Sequence, residues 1–108
     1  MHRRTDNLPK ALKREIRDLG GVLHERLLAA ELGKLEVEFA RWRAGELDAI
    51  ELSTLIHKFH EGPPRKLWLQ FNTNDVRELG WSLSKALAEG TMRVEEFSEE
   101  ALAFLAGK

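Results

Sequence analysis

Two histidines stand three residues apart, His57 and His60, with Glu61 beside them. On a helix, two imidazoles at that spacing reach one ion when both turn the same way. A protein metal centre normally takes a third protein ligand. None recurs here at helical spacing, and His24 is distant in the sequence. Surface histidines are the plainer expectation. Metal binding through His57 and His60 stands third among the functional readings, and no resident cofactor is expected.

The second chemical pattern is cationic. Lys10, Lys13, Arg14 and Arg17 fall at i, i+3, i+4 and i+7. They lie opposite Leu8, Leu12 and Ile16, with His24 extending the row and Arg3 and Arg4 preceding it. Such a face meets phosphates or an acidic protein surface. Any nucleic-acid binding through it is expected to be salt-sensitive and without base preference. The whole chain carries a formal charge of −1, and no recognition helix with its turn stands out. A nucleic-acid accessory or regulatory protein is thus the second reading, with a solvated helix face as the plain alternative. Charge is uneven: residues 2–17 hold six basic residues against Asp6 and Glu15, while Glu95, Glu96, Glu99 and Glu100 lie near the other end. Asymmetry of this kind hints at contacts without identifying them.

Several chemistries are missing. There is no glycine-rich phosphate loop, calcium loop, nucleophile elbow or Glu-x-x-His pair. The chain has no cysteine and no tyrosine, which removes disulfides, thiolate sites and phenol chemistry. These residues give no ground for a catalytic assignment.

The elements that position these groups are helical. Leu8, Leu12, Ile16, Leu19, Leu23, Leu27 and Ala30 recur in steps of three and four. Asp6 or Asn7 can cap this helix, with Pro9 in its first turn. A second stripe, Leu28, Leu32, Leu35, Phe39 and Trp42, lies about 150° around the helix from the first. Either the helix breaks near Gly20-Gly21 or Gly33, or its halves face different partners, which implies an oligomer. Leu35 to Phe39 also alternates like a strand, with Met92 to Val94 as its one candidate mate.

Gly45 is suited to ending a helix in the left-handed conformation. Asp48 and Glu51 form a capping box for the next one, with Leu47 and Leu52 as a hydrophobic staple. That helix is expected from Ala49 to about His60, ended by Gly62, with Leu52, Leu55, Ile56 and Phe59 inward. Ile50, Ser53 and His57 then point away from the core. Ile50 packs within the monomer in the preferred reading and meets a second subunit in the other. Pro63-Pro64 opens a short helix bearing Leu67, Trp68 and Phe71. Asn72 to Asn74 breaks the chain before a helix from about Asp75 to Glu89, with Val76, Leu79, Leu83 and Leu87 inward and Gly90 closing it. A last helix falls between Val94 and Ala106, capped by Ser98. Gly45 through Phe59 faintly echoes Gly90 through Phe104, for which one shared capping grammar is the simpler explanation than duplication. Trp42, Trp68 and Trp81 each adjoin apolar residues and are expected to fill the core.

The chain has 108 residues, 43% hydrophobic and 32% charged, ordinary for one globular domain. The expectation is a single all-α domain over 1–108, a compact bundle of four to five helices with a long N-terminal helix or helix pair. The first residues lack the apolar stretch of a secretory signal, and no run approaches the length of a membrane span. A cytoplasmic protein without membrane contact is expected. The leading functional reading is a protein–protein interaction module that self-associates as a homodimer or larger, with Leu12, Ile16, Leu19 and Leu23 at the contact. An acidic protein or a nucleic acid is the alternative partner.

Overall fold

The structure, a computed structural model, describes residues 8–107. Their regular structure is helical: α1 (Lys10–Arg43), α2 (Ala49–Glu61), α3 (Pro63–Phe71), α4 (Val76–Glu89) and α5 (Glu99–Ala106), with a 3₁₀ turn at Val94–Glu96. The all-α expectation and the long N-terminal helix hold. No strand occurs among the described residues. Leu35 and Phe39 are i, i+4 neighbours on α1, so the short alternation is also compatible with one helical face. Asp6, Asn7, Arg3 and Arg4 lie outside the described residues.

Gly20-Gly21 does not break α1. The two glycines differ in surroundings. Gly20 is buried, and a Cβ there would lie 3.2 Å from a terminal methyl of Leu79. Gly21 and Gly33 have open space around the corresponding position. Only Gly20 therefore serves a close approach, that of α4 to α1.

Helix ends follow local chemistry. Gly45 (φ +82°) closes a Schellman turn: the Glu46 N–H donates to Arg41 O and the Gly45 N–H to Trp42 O. Gly90 (φ +81°) repeats this, with the Thr91 N–H donating to Ala86 O and the Gly90 N–H to Leu87 O. At the start of α2, the Glu51 N–H donates to Asp48 Oδ1 at 2.7 Å, and the Asp48 N–H donates to Glu51 Oε1 at 3.0 Å. Ser98 caps α5 by accepting from the Ala101 N–H.

The helices group into two compact units. The first takes α1 as far as His24 and the chain from Phe71 onward. Its core joins Leu12, Ile16, Leu19 and Leu23 to Val76, Leu79, Leu83 and Ala86 of α4, and to Met92, Phe97, Ala101 and Leu105. Glu15 ties α1 to α5: the Ser98 N–H donates to Glu15 Oε2 at 2.8 Å and the Ser98 hydroxyl to Oε1 at 2.6 Å. His24 stacks on Phe71, with ring centroids 5.0 Å apart and planes 8° from parallel.

The second unit is Glu25–Gln70, comprising the rest of α1, α2 and nearly all of α3. In it only Leu52, among the described apolar residues, is fully buried. Leu28, Leu35, Phe39, Leu47, Leu55, Phe59 and Leu67 are half-buried. The divergence of the two stripes on α1 thus has an explanation within one chain: each half of the helix serves a different unit. It does not by itself call for an oligomer.

Glycine-to-alanine substitution separates the three α1 glycines. Gly21→Ala and Gly33→Ala should each raise stability by up to about 1 kcal/mol, measured by denaturant unfolding. Gly20→Ala should gain less or lose, because Leu79 must give way; equal gains at Gly20 and Gly21 would contradict the close approach.

Candidate functional site

The second unit presents an open groove of about 730 Å³ between α1 and α2. Leu35 of α1, Leu47 of the connecting turn, and Ile50, Leu55 and Phe59 of α2 supply its apolar lining. Lys34, Glu38 and Arg41 stand on the α1 wall, and Glu51, Thr54 and Lys58 on the α2 wall. The turn that sets the two walls is closed by the Schellman bonds at Gly45 and the capping box at Asp48. Consecutive turns of each helix then return to the groove every three or four residues, the helical period.

The charged rim is partly self-neutralised. Arg41 pairs with Glu38 at 2.9 Å and with Glu46 at 3.5 Å. Lys34 pairs with Glu31 at 3.1 Å. Glu51 holds the Asp48 N–H. Lys58 makes no hydrogen bond or ion pair among the described residues. Exposed pairs of this kind contribute little to stability, under about 1 kcal/mol each. They do fix long side chains along the rim and leave the apolar floor open.

Exposed apolar side chains concentrate in this unit. Leu32, Val37, Trp42, Ile50, Ile56, Trp68 and Leu69 are all exposed. Ile50 is 79% exposed, so it does not pack within the monomer. A smaller recess of about 380 Å³, lined by His60, Glu61, Pro64, Arg65, Trp68 and Leu69, adjoins α3.

The residues singled out by spacing are distributed differently. Leu12, Ile16, Leu19 and Leu23, expected at a self-association contact, are buried within the first unit of a single chain; Ile16 is 0% exposed. At that burial they are not available as a contact surface. Trp42, Trp68 and Trp81, expected in the core, are exposed, Trp81 at 72%. Each lies on the outward side of its helix, a direction that apolar neighbours in the sequence do not reveal. Lys10, Arg14 and Arg17 are exposed and Lys13 is half-buried. Arg17 donates to Asn74 O at 3.4 Å. His24, which extends the cationic row in the sequence, is half-buried and stacks on Phe71. His57 and His60 are both exposed. No group of three potential metal-ligating side chains occurs among the described residues.

The groove itself was visible in the sequence only as Ile50, the one large apolar residue of α2 that the pattern turns outward; Ile56, expected inward, is exposed as well. The other lining residues of the groove read as ordinary core positions. Ile16→Ala should cost roughly 2–5 kcal/mol of stability. Ile50→Ala, at an exposed position, should stay within about 0.5 kcal/mol. Chemical denaturation of both variants tests this; similar losses would mean that Ile50 belongs to the core after all.

Comparison with protein-family models, with curated proteins and with solved structures finds no match to this chain.

Proposed function

We propose that this chain is a protein–protein interaction module that associates with copies of itself through the unit Glu25–Gln70. One observation carries the reading. That unit leaves seven large apolar side chains exposed while fully burying Leu52 alone among the described apolar residues. An apolar surface of this kind on a small helical unit is an association surface or an aggregation liability. Ile50 is the one of the seven that lines the groove, and there the charged rim favours the former, because a polar border around an apolar centre is the usual anatomy of an interface. No helix among the described residues is long and apolar enough to cross a membrane. A chain without cysteine suits a reducing compartment, and the reading places it in the cytoplasm. No catalytic activity is assigned.

Native mass spectrometry and sedimentation of untagged protein test this reading. The wild type should run as a multiple of the chain mass. Ile50→Asp should run as a single chain with an unchanged far-ultraviolet helical spectrum. A wild type that stays monomeric at high micromolar concentration overturns the proposal.

The cationic face of α1 supports a second reading, binding of a nucleic acid or an acidic protein. The side chains of Lys10, Lys13 and Arg14 make no hydrogen bond or ion pair among the described residues, so their charges are open to an outside anion. Heparin retention at low salt should then fall sharply on combined substitution of Lys10, Lys13 and Arg14 by Glu, and on raising salt. Wild-type protein that flows through at low salt removes this reading.

A further inference from the structure

The groove between α1 and α2 has two chemically different ends. Residues 44–48 fold α2 back along α1. Arg41 and Glu51 therefore stand near the turn. Lys34 and Lys58, each seven residues away along its own helix, stand at the open end, about 10.5 Å farther on. Around the turn, Glu38 and Glu46 share Arg41, and Asp48 and Glu51 add two more carboxylates. That end is acidic. At the open end the charged residue on each wall is a lysine. Lys34 is offset by Glu31, but the side chain of Lys58 makes no hydrogen bond or ion pair among the described residues. Between the two ends, Leu35, Leu55 and Phe59 supply a half-buried apolar lining.

This distribution selects the occupant. An amphipathic helix lying in the groove has a polar side along its whole length, and it gains from open charges along both rims. Here most rim charges are spent on one another, and the one open cation is at one end. The complement is a narrow apolar body with a single anionic group. The volume of about 730 Å³ is that of a small-molecule site, and such sites are mostly apolar, carry few polar groups and occur between helices.

We propose that the groove binds a free fatty acid, its carboxylate at Lys58 and its chain running toward Leu47 and Ile50. The acidic turn repels the head group, so the ligand lies in one direction only. Lys34 has three donors and spends one on Glu31, which leaves it able to assist Lys58. The chain covers Ile50, the most exposed of the large apolar residues. This site goes beyond self-association and does not rest on it.

Calorimetric titration with dodecanoate, below the concentration at which it forms micelles, tests the assignment. The wild type should bind, and each methylene removed in a series down to octanoate should weaken binding up to about fourfold. Lys58→Glu, at an exposed position, should keep its helical spectrum and bind dodecanoate roughly three- to tenfold more weakly. Lys58→Arg should bind as the wild type does. Dodecanol, which has no charge, should not distinguish the wild type from Lys58→Glu. Backbone amide shifts on adding dodecanoate should centre on Leu35, Leu55 and Lys58. Absence of binding, equal affinity of the wild type and Lys58→Glu for dodecanoate, or shifts centred on the recess at Trp68 would each overturn the proposal. A monomeric wild type that binds dodecanoate in this manner overturns self-association and leaves the site standing.

Discussion

The approach of α4 to α1 at Gly20 sets the terms for the first unit. A Cβ at Gly20 would come within 3.2 Å of a Leu79 methyl, so Leu79 would have to shift by a few tenths of an ångström. The stripe Leu12, Ile16, Leu19 and Leu23 is buried in the same unit as Val76, Leu79 and Leu83 of α4 and Ala101 and Leu105 of α5. Burying each large aliphatic side chain contributes roughly 1.5–3 kcal/mol, so this face outweighs any single polar contact. Glu15 then fixes α5 along α1 by accepting from both the Ser98 N–H and hydroxyl, while the same hydroxyl caps α5. One carboxylate thereby orients the cap of a helix distant in the sequence.

The second unit rests on weaker and more local terms. Its turn is held by the Schellman bonds at Gly45 and the box between Asp48 and Glu51. A good N-cap contributes about 1 kcal/mol, and the Arg41 and Lys34 ion pairs less. These interactions shape a helical hairpin without burying much of its apolar surface. Structure is thus specified locally while the surface remains available, which is the physical basis for reading this unit as the contact-making part of the chain.

Capping chemistry also accounts for the likeness between the two glycine corners. Gly45 and Gly90 close the same kind of turn, and Glu51 and Glu96 each accept from the backbone N–H three residues earlier. The difference lies in the residue at the cap. Asp48 offers a side-chain acceptor, and α2 begins at once. Arg93 has none to offer, so only a 3₁₀ turn follows, and α5 begins after Ser98 supplies the hydroxyl.

Helix ends were legible in the sequence because they depend on a few neighbouring residues: Gly45 and Gly90 at C-termini, Asp48 with Glu51 and Ser98 at N-termini, Pro63 opening α3. The apolar stripes were legible as faces needing cover. What covers them was not, because periodicity records that a face avoids water and is silent on which surface shields it. Leu12, Ile16, Leu19 and Leu23 suit a partner's surface as well as they suit α4 and α5. Trp42, Trp68 and Trp81 have apolar neighbours in the chain yet face outward in space. Gly20 and Gly21 are the same residue side by side, and only the position of Leu79 tells them apart. The sequence alone determined the helical class and its punctuation, through local hydrogen bonding and period. The tertiary structure decided which apolar face became core and which stayed open, because that choice depends on contacts between segments far apart in the chain.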